Sequence, residues 1–322
     1  MTSARTRSTP ALKTYSHLAV RRRVPSEYDI ATSGLLHHVP RGGFEVKASM
    51  DGWYARHQRG SKLAGVDWEE FADPRRTTYT SYVALQRDAE AYADGIAQTI
   101  DDTDYDATLD TGWVAVLERV LPVSRFAMHG FQMLAAYVGQ MAPASRIVIA
   151  AAFQAADEVR RIHRVANRMG QLRRVRPSFG DSSRETWEGD PSWQPMREAV
   201  ERALVAFDWG EALVGLNVCL KPALDSLLLG LAETGRERGD ALLGALIASF
   251  VPDARWHRAW TRALIETAGA GHLSTLAGWA RAWLPRGHAA IRTLGVVLGD
   301  AAVDRIEARF ARDVTAFGLK AA

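Results

Sequence analysis

Apolar residues recur at helical intervals over most of this chain. The run VDWEEFADPRRTTYTSYVALQRDAEAYADGIAQTI (66–100) ends in a segment whose Tyr82, Leu85, Ala89, Tyr92 and Ile96 fall three, four or seven apart. That spacing predicts one buried helix face. Residues 111–145, TGWVAVLERVLPVSRFAMHGFQMLAAYVGQMAPAS, predict a helix, a break at Pro122 and a second apolar helix. Residues 146–172 predict a helix that begins apolar all round and turns polar towards its end. A loop rich in Gly, Ser, Asp and Pro is expected over 176–193, RPSFGDSSRETWEGDPSW. Residues 195–235 predict a long apolar pair of helices, with shorter helices beyond RERGD (236–240). No stretch alternates with a period of two, so the fold class is all-α.

Residues 1–48 show no sustained helical period and read as an extended arm, leaving 49–322 as the helical domain. Tyr15, Leu18, Tyr28, Ile30, Leu35, Leu36 and Phe44 make the arm too apolar for a solvated tail. It must bury them against its own body or another subunit. The arm carries eight basic residues against three acidic ones, a balance of +5 in a chain of net charge +3. A basic arm can track nucleic acid or lie across a partner protein.

The composition, 47% hydrophobic and 24% charged, is that of a soluble globular chain. The single Cys219 sits in the apolar run LVGLNVCLKP, which excludes an internal disulfide and predicts an inert buried thiol in a reducing compartment. No apolar run approaches the ~18 residues of a membrane span. No apolar segment follows the basic N-terminus, so a cytoplasmic location and no membrane contact are expected. The ten tryptophans suit core packing or subunit contacts.

Candidate chemistry centres on AADEVRRIHR (155–164). Di-iron sites in helical bundles use Glu-x-x-His, because residues three apart share a helix face. Glu158 is followed at that interval by Arg161, a permanent cation with no lone pair to donate. His257 is preceded at that interval by Ala254, and no Glu-x-x-His occurs anywhere. The sequence also lacks a phosphate-binding glycine loop and a Gly-x-Ser-x-Gly nucleophile turn. Three readings stay open at this point. The first is a bundle without a metal site, and the second a stand-alone metalloprotein using Glu158, Glu211 and His257. The third is a helical nucleic-acid binder using the arm and the cluster Arg160, Arg161, Arg164, Arg168, Arg173, Arg174 and Arg176. For that cluster a solvated helix end or a salt-bridged subunit contact is expected ahead of phosphate binding.

Several stretches carry a family resemblance: LKTYSHLAVRRRVPSEYDIATSGLLHH (12–38), MDGWYARHQRGSKL (50–63), WEEFADPRRTTYTSYVALQ (68–86), MLAAYVGQMAPAS (133–145) and ALVAFDWGEALVGLNVCLKPALD (203–225). Together they resemble the β (small) subunit of the hydroxylase of bacterial multicomponent di-iron monooxygenases, in the toluene/alkene/isoprene branch. The resemblance implies a ferritin-like (ribonucleotide-reductase-like) bundle without a metal site. The degenerate ligand positions would be Glu158, Arg161, Leu220 (or its neighbour Lys221), Ala254 and His257, with a fourth near 126–128, where no acid exists. It implies a non-catalytic subunit of an α2β2γ2 hydroxylase whose large α subunit holds the di-iron centre. NADH, FAD and a Rieske [2Fe-2S] cluster would belong to other components. The implied partners are the α subunit, the γ subunit, a second β copy, an effector protein and a Rieske ferredoxin, without nucleic acid. Tyr15, His17, Leu18, Arg22, Tyr28, Trp53 and Tyr54 are the expected interface residues.

Overall fold

The structure, a computed structural model, describes residues 25–32, 49–101 and 103–319. Among them there is no strand. The short α1 (Glu27–Ala31) is closed by a capping box between Ser26 and Asp29, and α2 (Ser49–Tyr54) runs into a π-helical turn at Ala55–Arg59. Then come α3 (Tyr79–Asp101), α4 (Tyr105–Thr108), α5 (Thr111–Met141), α6 (Ser145–Arg173), α7 (Ser183–Gly189) and α8 (Gln194–Leu204). The central helix begins as α9 (Trp209–Val214), passes through a π turn at Gly215–Leu220 and continues as α10 (Lys221–Glu237). The order closes with α11 (Ala241–Ala248), α12 (Val251–Ala268), α13 (Leu273–Leu298) and α14 (Asp300–Thr315).

The core lies between α5, α6, the 209–237 helix, α12 and α13. Trp113, Trp193, Trp209 and Trp260 are all fully buried in it, so these tryptophans are packing residues. The 209–237 helix is long and apolar enough to cross a membrane, but 94% of its apolar window is buried inside the bundle. Its π turn brings Gly215 against Trp283, where a Cβ would stand 3.2 Å from the indole ring. The Cys219 thiol on that turn donates to the Trp283 carbonyl at 3.0 Å, and burial pushes it up to about 12.

Three expectations are corrected here. Pro122 does not break α5, which continues through it as one helix. The ring packs against the Gly180 turn and Arg125 Nε donates to the Pro122 carbonyl at 3.0 Å, so tertiary contact outweighs the lost donor. The expected loop over 176–193 contains α7, held by Trp187 stacked on Phe126 with ring centroids 5.9 Å apart. In α3 the apolar positions form the buried face only in part, with Tyr82, Ala89 and Ile96 half-buried. Leu85 and Tyr92 are exposed, because the surface of α6 beneath is charged and takes polar partners instead.

Of the arm, residues 25–32 are described. Tyr15, His17, Leu18 and Arg22 lie outside the described residues. Tyr28, expected at a subunit interface, is instead buried in the chain's own body, where its hydroxyl accepts from the Asp73 N–H at 3.1 Å. Trp53 is half-buried edge-on against Phe207 at 4.9 Å, and Tyr54 also packs on the core. Their apolar rings are thus already covered, partly or wholly, by their own chain.

Candidate functional site

Helices α6 and α10 meet around one buried ionic centre. Glu158 on α6 is 0% exposed and Arg161, one turn on, 1%. Arg161 Nη1 donates to both Glu158 oxygens, at 3.2 and 3.0 Å, and Nη2 donates to Asp225 at 2.6 Å. Lys221 Nζ stands 2.6 Å from Glu158 and 3.7 Å from Asp225, which lies one turn further along α10. Both guanidinium groups of Arg160 and Arg161 face the Phe250 ring, 5.8 and 5.2 Å from its centroid. Burial alone would raise the Glu158 carboxyl, but Arg161 and Lys221 overcome it and hold it below its ordinary range. Asp225 is held down in the same way, against its burial, by Lys221 and Arg161.

Further polar contacts lie outside the centre. His257 Nε2 stands 2.9 Å from Asp157 Oδ2, while Tyr82 and Gln86 of α3 each donate to Asp157 Oδ1 at 2.8 Å. Burial, followed by Lys221, pushes His257 down to about 3, and burial lifts Asp157 to about 7. Arg160 pairs with Asp253 of α12 and, at 3.2 Å, with Glu90 of α3. Arg164 pairs with Glu90 and, at 2.5 Å, with Asp94; Arg168 grips Asp106 through two bonds of 2.7 and 2.8 Å. Beside the centre, Gln154, Asn217, Thr261 and Trp260 form a closed neutral network with bonds of 2.6 to 3.1 Å.

The structure therefore brings Glu158 and Arg161 into the ionic centre and His257 into the network beside it, and Ala254 borders the centre. Lys221, not Leu220, is the residue of the central helix that reaches Glu158; Leu220 is buried among apolar neighbours. Ala254 lines a cavity of about 30 Å³ together with Arg161, Asp225 and Phe250. Ala127 and Met128 of α5 are buried and apolar. Glu211 is on the first turn of α9, ten residues before Lys221 and so about 15 Å away along the helix. The arginine row is corrected as well. Arg160, Arg161, Arg164 and Arg168 point inwards and are ion-paired within the chain, and only Arg173 and Arg174 at the end of the row are exposed as a solvated helix end.

Sequence reasoning missed Asp157, Asp225, Asp253 and the α3 partners. One signal was present: Lys221 and Asp225, an i,i+4 charge pair, interrupt a helix long and apolar enough to cross a membrane. A charge in such a segment needs a buried counter-charge.

This donor set does not fit a pair of transition metals. Two cations lie within 3.0 Å of the one glutamate that could bridge them. Among the described residues no group of three or more His, Cys, Asp or Glu is placed to hold a metal ion.

Comparison with known proteins places the chain. Residues 49–270 match the family model described as methane/phenol/alkene hydroxylase. The chain is 35% identical over 283 residues to the toluene-4-monooxygenase system hydroxylase component subunit beta of Ectopseudomonas mendocina, spanning 85% of this chain and 86% of that protein. It superposes with a TM-score of 0.85 and 32% identity on a chain from a structure of toluene 4-monooxygenase with toluene bound in its resting active site, covering 92% of this chain and 100% of that one. A chain of the xenon-pressurised phenol hydroxylase from Pseudomonas sp. OX1 shares the fold at a TM-score of 0.81 and 20% identity, covering 98% of each.

Two predictions follow from the network. Arg161→Met leaves Glu158 and Asp225 with Lys221 alone and should cost about 3–5 kcal/mol in urea unfolding. Converting all four members (Glu158→Leu, Arg161→Met, Lys221→Met, Asp225→Leu) should cost less than that single change, because no charge is stranded. A quadruple variant much less stable than Arg161→Met would contradict this account. The second concerns Asp157, whose folded state holds a proton that the unfolded chain releases above about pH 4. Its contribution is fully present below that pH and fades as pH rises through about 7. The stability penalty of Asp157→Asn should therefore be larger near pH 5 than near pH 8, and equal urea midpoint shifts at both would refute the assignment.

Proposed function

We infer the function from one premise: the chain belongs to the methane/phenol/alkene hydroxylase family and is a hydroxylase β subunit of a multicomponent monooxygenase. We propose that within such an enzyme it is the non-catalytic, structural member. The observation that carries this reading is the seating of Lys221 Nζ at 2.6 Å and Arg161 Nη1 at 3.0 Å on the buried Glu158. The chain's own cations supply the positive charge that a buried carboxylate requires, and they leave no vacancy for a metal ion to fill.

In the proposed assembly a large α subunit with its di-iron centre carries the oxygen chemistry, in an α2β2γ2 hydroxylase located in the cytoplasm. Electrons would pass from NADH through a flavin- and Rieske-containing chain to that subunit. One oxygen atom of O2 would enter a hydrocarbon, an alkene, isoprene or an aromatic ring. The γ subunit, a second β copy, the effector protein and the ferredoxin are the remaining proposed partners. The role of this chain's residues is mechanical. The dense core and the ionic centre give a rigid body against which the α subunit can hold its shape.

Metal analysis tests this reading. The chain purified alone from iron-replete cells should contain far less than one iron per chain, and co-expression with the large subunit should give a complex whose iron is unchanged by His257→Ala here. Two irons per isolated chain would overturn the non-catalytic assignment.

A further inference from the structure

Helices α3, α6 and α11 enclose a groove of about 440 Å³ with two kinds of lining. Its walls are apolar, Ile96 and Ala97 on α3 and Leu242 and Leu246 on α11. Its floor, from α6, is polar and includes Arg164, Asn167 and Arg168. The floor's buried charge is already matched. Arg164 holds Glu90 and, at 2.5 Å, Asp94, while Arg168 holds Asp106 at 2.7 and 2.8 Å. Asp94 itself lines the groove, so an anion entering it would meet a carboxylate. What the floor has left to offer is neutral hydrogen bonding. Arg164 and Arg168 are only 6% and 2% exposed, and the Nε–H of each has no acceptor in the chain. Buried donors of that kind normally find a partner. The Asn167 side chain is exposed and makes no hydrogen bond among the described residues. One more feature keeps the groove open. Gly170 lines it from the last turn of α6, and a Cβ built there would meet nothing within 4 Å. No close contact requires a glycine at that position.

We propose that this groove is a binding site for a small neutral hydrocarbon bearing a hydroxyl group. The apolar body lies between the α3 and α11 walls and the hydroxyl rests on the α6 floor. There the Asn167 amide both donates and accepts, and the guanidinium edges donate. The volume falls in the range of roughly 300–1,000 Å³ typical of small-molecule sites, and apolar walls with a few convergent polar groups are their usual construction. A bare hydrocarbon would cover the floor and leave its donors without partners, which favours the hydroxylated molecule over its parent. A carboxylate head would face Asp94 over a floor whose buried guanidinium groups are already neutralised, which favours the neutral head over the anionic one. Hydroxylated hydrocarbons are also what the oxygen insertion proposed above would yield. The identification of the ligand as a reaction product rests on that subunit reading; the site itself rests on the groove.

The test is a titration of the full-length chain with three probes of one shape: 4-methylphenol, toluene and 4-methylbenzoate. Calorimetry or amide NMR shifts give the affinities. 4-Methylphenol should bind about tenfold tighter than either of the others, the discrimination that one or two hydrogen bonds supply. Gly170→Leu fills the groove without a clash and replaces a poor helix former with a good one, so its melting temperature should equal or exceed the parent's. Its affinity for 4-methylphenol should nevertheless fall about tenfold or more, because the side chain takes the ligand's room. Asn167→Leu, at an exposed position, should fold like the parent and narrow the gap between 4-methylphenol and toluene. Parent-like binding of 4-methylphenol by a folded Gly170→Leu overturns the groove as the site. Tighter binding of toluene or 4-methylbenzoate than of 4-methylphenol overturns the ligand class, and so does an unchanged gap in Asn167→Leu. No saturable binding of any probe to the unaltered chain overturns the site altogether. Each of these failures leaves the subunit reading standing, since iron analysis decides that separately.

Discussion

Glu158 is shut away from water between packed helices, and an isolated carboxylate in such a place would cost several times the net stability of a domain. The fold can keep it only by bringing positive charge to it. Arg161 supplies that charge from one turn along the same helix and Lys221 from the facing helix, and Asp225 then completes the set. Each of the four is tolerable because of the other three. The centre is thus a constraint as much as a source of stability: it fixes how α6 and α10 are rotated towards each other, since only one register lets the carboxylates and cations meet.

The same constraint spreads outwards. With the ion-paired Arg160, Arg164 and Arg168 and the hydrogen-bonded Asp157 on the neighbouring turns of α6, the surface of that helix is polar along much of its length. A helix lying on it must bring polar groups, and α3 does so with Tyr82, Gln86, Glu90 and Asp94. The apolar side chains of α3 are then left to its flanks. The charge pattern at the middle of the bundle and the apolar surface at its edge are two ends of one arrangement.

Much of this was legible in the sequence. Helical periodicity gave the all-α class, and their spacing of three put Glu158 and Arg161 on one helix face. The family resemblance, drawn from the quoted stretches, agrees with the comparisons. What periodicity could not supply was direction. Tyr82, Leu85, Ala89, Tyr92 and Ile96 form an acceptable helical stripe, yet whether it faces in or out depends on what lies opposite, and here that is Asp157 and Arg160, some seventy residues away. The arginine row was misread for the same reason. A guanidinium on a helix looks solvated until its carboxylates arrive from α3, α4 and α12. Pro122 misled because its ring finds a packed seat at the Gly180 turn that no local rule contains.

The central claim is that cations of the chain itself neutralise the carboxylate at the heart of the bundle. A crystal structure of the chain grown with excess Fe(II) and recorded at the iron edge tests it most directly. The account predicts Lys221 Nζ and the Arg161 guanidinium within hydrogen-bonding distance of Glu158, and no anomalous peak between the central helices. An iron peak bonded to Glu158 and His257, with Arg161 turned away, would contradict it.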